Sequence, residues 1–409
     1  YQISPGGVTA MIYPILKRMQ VQQLIEDPIW VSLGSDAPEE VLVDHIRLNH
    51  VHLTDHDTPR YANFKESIWN EIHGVGKFVI KPEEYEAFIR YNWLSAQIML
   101  KMLNDTDLYF IHDFQQLLTG SLIGPSAPAI LRWHIPFNLE AVSQKLKTFI
   151  LKNIEGFDSV IVSTRRDLEG LIHAGYRGRA YQIYPHVDRT FWTPPKEEDV
   201  QKLKDEYKLK DAKILLVVAR MDPIKGQDVA IKALSHVSKV RSDVKLLLAG
   251  NGSFSSSSKG GLGHSKGQVW KNSLKGLVEE LQIKDRVIFT GYMDAGPLRA
   301  AYSIADISLV PSKSEGFALT TIESWLYKRP VIVSTGAGSA EVVNDGVSGY
   351  VFERENDKQL SEKILSMLSG AEASAKMGER GYDSTNICDV ERSIASHSRV
   401  FEETLSDFG

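Results

Sequence analysis

One cysteine, Cys388, is all the sequence offers, so no internal disulfide can form and no cysteine-rich metal site can be built. That suits a reducing, cytoplasmic setting. No apolar run approaches the roughly 20 residues that a membrane-crossing helix requires, and the longest, such as 214–219, have strand length. No signal-peptide pattern opens the chain, which begins at Tyr1 rather than Met. Positive charge is not in excess: 47 Lys and Arg stand against 52 Asp and Glu, a net charge of -5. Phosphate backbones attract basic surfaces, so this balance argues against nucleic acid as the main ligand. There is no short-period repeat. No Asp-x-Asp stands where a predicted strand ends, so the chemistry read here requires no metal. The dinucleotide fingerprint is missing too. Ala249-Gly250-Asn251-Gly252 has Gly-x-Gly but leads into a serine run, which argues against a Rossmann oxidoreductase.

What is present is a chain of 409 residues, 43% hydrophobic and 24% charged, too long for one ordinary core. Short apolar runs read as buried strands at 108–111, 129–133, 159–163, 181–184, 214–219, 245–249, 287–290, 307–310, 331–334 and 350–352. Helical patterns lie between them, for example at 83–103, 139–155, 226–240 and 317–327. Continuous apolar strands separated by helices predict parallel sheets covered on both faces. Two prolines within 191–196, Phe-Trp-Thr-Pro-Pro-Lys, mark a boundary. The expected architecture is α/β, with two doubly wound, Rossmann-like domains facing a central cleft. One covers 1–190, the other 191–388, and a closing helix within 389–409 packs back on the first. The segment 253–267, rich in Ser, Gly and Lys, is expected as a flexible loop.

Chemistry concentrates where predicted strands end. Ser314-Glu315-Gly316-Phe317-Ala318-Leu319-Thr320-Thr321-Ile322-Glu323 follows one strand and is read as opening a helix, whose free N–H groups suit phosphate or sugar hydroxyls. Glu315 then stands at the helix start, with Glu323 two turns on from roughly the same face. One carboxylate can contact a sugar and the other a ribose diol. Arg220-Met221-Asp222-Pro223-Ile224-Lys225-Gly226 follows another strand, and its two cations suit a departing diphosphate. Ser4-Pro5-Gly6-Gly7 precedes an apolar helix, and its glycines let backbone approach phosphate. Gly291-Tyr292-Met293 is the candidate loop for the nucleotide base. In the first half, His112-Asp113 and His134-Ile135-Pro136-Phe137 end strands, with His134 and Asp113 able to bind sugar hydroxyls.

Taken together, these elements resemble the retaining glycosyltransferases of family 4. So do Lys328-Arg329-Pro330-Val331-Ile332-Val333, Glu341-Val342-Val343-Asn344-Asp345-Gly346 and Gly349-Tyr350-Val351. The resemblance implies the GT-B fold and a donor that is a nucleotide-diphosphate sugar (UDP-, ADP- or GDP-glucose), with no further cofactor. It implies that Glu315 contacts the donor sugar and Glu323 the ribose, that Arg220, Lys225 and the backbone at Gly7 bind the diphosphate, and that His134 lies by the donor sugar. The residues of the Gly316, Phe317, Ala318 and Leu319 run, with Gly291, Tyr292 and Met293, complete the donor side. His112-Asp113 and His134-Ile135-Pro136-Phe137 look like segments of trehalose synthases and trehalose 6-phosphate synthases. That implies glucose or glucose 6-phosphate as acceptor, bound by Asp113 and His112. The alternative acceptor is a lipid-linked or glycan molecule, with Phe64, Trp69, Phe78 and Trp93 as candidates for a membrane-facing surface. A homodimer is compatible with this reading. The sequence departs from the pattern in three places. No strand precedes the glycine loop, no arginine stands ahead of it, and Gly336-Ala337-Gly338-Ser339 replaces the usual glycine pair. Arg60 and Arg132 are the remaining candidates for an acceptor-phosphate pocket.

Overall fold

The computed structural model describes residues 7–34, 37–252 and 261–408. Among the described residues two compact units emerge: one contains Met11–Tyr184 and residues 391–408, the other residues 7–10 and Pro185–Val390. The chain therefore leaves the first unit at residue 184 and returns to it for its final helix.

The first unit contains two sheets. β1 (Ile29–Leu33), β2 (Glu40–Val43) and β3 (Ile46–Val51) form a three-stranded sheet in the order β1-β3-β2. β2 and β3 are antiparallel, which the expectation of purely parallel sheets did not include. Their turn places Asp44 and His45 at φ 49° and 64°, the doubly left-handed geometry of a tight hairpin. β4 (Tyr109–His112), β5 (Ala129–Arg132), β6 (Ser159–Val162) and β7 (Arg179–Gln182) form a parallel sheet in sequential order. β5 and β6 are buried at every position, as strands covered on both faces should be. The returning helix Val390–Phe408 packs Val400 against Ile130, Ile161 and Ile183. Its Thr404 hydroxyl pairs with that of Ser159 at 2.8 Å, and its Glu403 accepts from the Tyr181 hydroxyl at 2.7 Å.

The second unit is one six-stranded parallel sheet. β8 (Lys213–Val218), β9 (Val244–Ala249), β10 (Val287–Gly291), β11 (Ile307–Val310), β12 (Val331–Ser334) and β13 (Gly349–Phe352) lie in the order β10-β9-β8-β11-β12-β13. Leu215, Leu246, Leu248, Leu309 and Ile332 share a core with the Gln227–Ser238 helix.

Several expectations need correction. The helix read from 317 begins at Thr320, so Glu315 lies on the preceding loop and not at a helix start. Ala318, at φ 77°, takes the backbone out of helical geometry there. The helix read over 139–155 is Gln144–Ile154, its start set late by the Ser143 hydroxyl, which caps Leu146 N–H. The loop expected at 253–267 gives way to helix from Gly261 onward; residues 253–260 lie outside the described residues. Glycines lower helix propensity by only about 1 kcal/mol each, and packing farther along, at Leu274 and Val278, overrides that cost.

Candidate functional site

The strand order of the second unit reverses between β8 and β11, which are hydrogen-bonded neighbours. Loops leaving such a pair diverge, and the carboxyl ends of those strands are where an open α/β sheet binds ligands. The loop after β8 carries Arg220 and Lys225, and the loop after β11 carries Ser312 and Glu315. Backbone joins them: Lys313 N–H donates to the Ile224 carbonyl at 2.7 Å. Gly226 sits at φ 68°, and a Cβ there would come within 1.9 Å of the Pro311 carbonyl oxygen. Only glycine allows that approach.

Side chains complete the junction. Lys225 Nζ donates to Glu315 Oε1 at 2.5 Å, and Ser312 Oγ donates to Oε2 at 2.6 Å. Burial raises the Glu315 carboxyl, but the charge and hydrogen bond of Lys225, the Ser312 hydroxyl and the Arg220 charge together hold it below its ordinary range. It is an anion at neutral pH. Arg220 Nη2 lies 3.9 Å from Asp222 Oδ2, while Asp222 Oδ1 accepts from Ile224 N–H at 3.1 Å. The segment that departs from the glycine pair lies along the Glu315 loop. Glu315 N–H donates to the Gly336 carbonyl at 3.0 Å, Gly338 N–H to Glu315 at 3.1 Å, and Ser339 N–H to Phe317 at 2.6 Å. Gly316, Phe317 and Leu319 flank Ala318, whose left-handed backbone costs roughly 1–2 kcal/mol.

Glu323 occupies the first turn of the Thr320–Leu326 helix. Its Oε2 accepts from the buried Tyr302 hydroxyl at 2.6 Å, and Tyr302 stacks on Tyr327 with ring centroids 6.0 Å apart. Burial pushes the Glu323 carboxyl up to about 7, opposed by the Tyr302 hydrogen bond and assisted by the Glu315 charge. The two glutamates therefore differ electrostatically although one loop and one helical turn carry both. Gly291, at φ 76°, ends β10 and leads into Tyr292 and Met293. The helix Gly7–Val21 opens at Gly7; residues 4–6 of the glycine loop lie outside the described residues. Among the described residues, no group of three His, Cys, Asp or Glu side chains is placed to hold a metal ion.

In the first unit, His112-Asp113 and His134 end the adjacent strands β4 and β5. Asp113, at φ 58°, turns its carboxylate onto backbone: Oδ1 accepts from His134 N–H at 2.7 Å. Burial raises this carboxyl to about 7, opposed by the amides of His134 and Ile135 and the Arg132 charge. His112 Nδ1 lies 3.0 Å from His134 Nε2, with the rings stacked at 5.3 Å. Burial first, then the Arg132 charge, pulls His112 down to about 3, so its ring is neutral at working pH. The structure thus brings His112, Asp113 and His134 together. It does not leave Arg132 for an acceptor phosphate. That side chain is 1% exposed and donates to the Val162 and Ile183 carbonyls at 3.1 and 2.7 Å. Arg60 contacts its helical neighbour His56. Of the aromatics considered for a membrane face, Phe64 and Phe78 are core, and Trp93 is 52% exposed. No described helix is long and apolar enough to cross a membrane.

Sequence reasoning missed Ser312, Tyr302, Gln227 and Trp270. Ser312 sits three residues before Glu315 and was legible as a hydroxyl in the same loop. The other three come from different elements, and no local pattern marks them.

Residues 199–384 match the family described as glycosyl transferases group 1, and residues 50–168 match the trehalose synthase N-terminal domain. A D-inositol 3-phosphate glycosyltransferase of Mycolicibacterium smegmatis is 28% identical over 79% of this chain and 69% of its own length. Spore coat protein SA of Bacillus subtilis is 26% identical over 50% of this chain and 53% of its own. Among solved structures, the trehalose-6-phosphate synthase of E. coli bound with UDP-2-fluoro glucose superposes with a TM-score of 0.79 at 17% identity, covering 98% of this chain and 96% of that one. The sucrose-phosphate synthase of Thermosynechococcus elongatus gives 0.76 at 18% identity, covering 98% and 94%. The chain is a GT-B glycosyltransferase that uses a nucleotide sugar. Within that class its second unit carries the group 1 domain, and its first carries a domain of the trehalose synthase kind.

Proposed function

We propose that the enzyme transfers glucose, with retention, from a nucleoside diphosphate glucose to glucose or glucose 6-phosphate, forming trehalose or its phosphate. The observation that carries this reading is the Arg220–Lys225–Glu315 junction at the sheet's switch point, in a chain whose first unit matches the trehalose synthase N-terminal domain. Arg220 and Lys225 neutralise the diphosphate as the bond to the sugar breaks, and Glu315 holds the sugar's hydroxyls. The leaving diphosphate itself takes the acceptor proton, so the protein's part is orientation and electrostatics. The donor is assigned to the second unit, and the acceptor to His112 and Asp113 of the first. UDP-glucose is the first donor to test, since solved relatives of this fold are bound to UDP-glucose or its fluoro analogue. A single buried cysteine, Cys388, fits work in a reducing cytoplasm.

The acceptor is settled by product. Purified enzyme with UDP-, ADP- and GDP-glucose is offered glucose, glucose 6-phosphate, D-inositol 3-phosphate and a lipid acceptor. The inositol arm follows from the named activity of the Mycolicibacterium relative. An α,α-linked disaccharide or its phosphate is expected, and it is lost in Asp113→Ala, which frees the His134 amide. A β-linked product, or transfer only to inositol phosphate or lipid, overturns the trehalose reading.

Glu323 gives a second test. A ribose diol donates to an ionised carboxylate, and this one titrates at about 7. Donor KM should therefore fall as pH rises through about 7, because the ionised form binds better. Glu323→Gln should raise donor KM by about tenfold with little change in kcat, and flatten that profile. An unchanged pH profile in the variant would remove Glu323 from the ribose.

A further inference from the structure

The arginine expected at the diphosphate sits on a loop whose conformation is fixed by residues outside the motif. Gln227, 1% exposed, begins the Gln227–Ser238 helix and reaches back: its Nε2 donates to the Arg220 carbonyl at 2.7 Å. Its Oε1 accepts from the Trp270 indole N–H at 3.0 Å. The orientation of this amide is unambiguous, because an indole only donates and a carbonyl only accepts. Trp270 belongs to the Gly261–Glu280 helix and packs on the same core as Ala219, the residue just before Arg220. The same helix touches the loop at a second point. A Cβ on Gly267 would lie 2.2 Å from Gly252 Cα and 3.2 Å from the Met221 carbonyl oxygen. Met221 N–H donates to the Asn251 carbonyl at 2.7 Å. The backbone of Arg220 and Met221 is thus gripped on two sides by groups that hold no charge.

We propose that Trp270 and Gln227 are positioning residues that hold the Arg220 loop in the conformation its guanidinium needs to meet a nucleoside diphosphate. The inference rests on the diphosphate role given to Arg220 above. A guanidinium contributes to leaving-group stabilisation only if it is already aimed, since reorientation during reaction consumes the gain. The indole–amide–carbonyl chain fixes the backbone from which that side chain projects.

The test is a double-mutant cycle on the full chain with UDP-glucose as donor. Trp270→Phe keeps an aromatic ring on the core and removes the N–H together with the pyrrole part of the indole. It should lower kcat/KM on the order of tenfold in a protein that still folds, and the comparison between backgrounds separates this from any shift in the thermal midpoint. In an Arg220→Ala background the same change should cost less than about twofold, because there is no guanidinium left to aim. Gln227→Met, which keeps the length and loses both bonds, should give the same pattern, and it carries the cycle if Trp270→Phe does not fold. Equal losses in both backgrounds would overturn the positioning role while leaving the diphosphate reading intact. Near wild-type turnover in Arg220→Ala alone would instead overturn the diphosphate reading, and this inference with it.

Discussion

Replacing Arg220 or Lys225 by alanine is expected to lower kcat/KM by about 10²- to 10³-fold, roughly 3–4 kcal/mol of transition-state stabilisation. Both residues leave the carboxyl end of β8, at the point where strand order reverses. A nucleoside diphosphate gains negative charge on its bridging oxygen as the sugar departs. A fixed cation stabilises that charge more than it stabilises the bound donor. The loss should therefore appear in kcat as well as in donor KM. Arginine can take two phosphate oxygens in a fork and lysine only one point contact. Arg220→Lys should accordingly recover only part of the activity. Steady-state kinetics with saturating acceptor make the measurement, and near wild-type values in both alanine variants would remove these residues from the donor site.

The second large effect belongs to Glu315. Its carboxylate receives Lys225 Nζ at 2.5 Å and Ser312 Oγ at 2.6 Å, with side-chain exposures of 14% for Lys225 and 22% for Glu315. Glu315→Gln keeps the shape and removes the charge. Turnover at saturation should fall by about 10²-fold while donor KM moves far less, because the residue acts on the reacting sugar. A change confined to KM would place Glu315 away from that sugar. Lys225→Met should also destabilise the second unit, by roughly 3 kcal/mol, since it leaves a poorly hydrated carboxylate without its cation. Adding Glu315→Gln to Lys225→Met should restore most of that stability without restoring activity. The pH dependence has a definite sign. The Glu315 carboxyl is held below its ordinary value of 4.5, so the pair's stabilisation is present above that value and is lost as pH falls through the folded-state value. Acid denaturation of wild type and Glu315→Gln, followed by circular dichroism, should show wild type losing its advantage in that window.

Much of this site could be read from sequence because buried parallel strands announce themselves as continuous apolar runs. β8 and β11 are such runs, and the loops that leave them are the ones the sequence reading named for Arg220, Lys225 and Glu315. β2 was not readable: its residues alternate between exposed and half-buried, and the turn that follows it is Asp44-His45 rather than a glycine-bearing pair. The helix start before Glu323 was misplaced because the eight-residue spacing of Glu315 and Glu323 suits one helical face. The positive φ of Ala318, a tertiary demand, breaks that face. Tyr302, Gln227 and Trp270 were invisible for a different reason. Each is an ordinary helix residue, and only the packing of its helix on the sheet sets a hydroxyl, an amide or an indole against a group of the site.

The helix Val390–Phe408 has a consequence for how the molecule is made. Ile130, Ile161 and Ile183 are synthesised long before Val400, the residue that covers them. At about 5–20 residues per second, a ribosome leaves that sheet face bare for roughly 10 to 40 seconds. The second unit, whose sheet and core helices all fall between Pro185 and Val390, can close its own core within that interval. Assembly is therefore vectorial in the middle and deferred at the edges. The four-stranded sheet of the first unit is made before the second unit and sealed after it, and until then its isoleucines stay uncovered on the nascent chain.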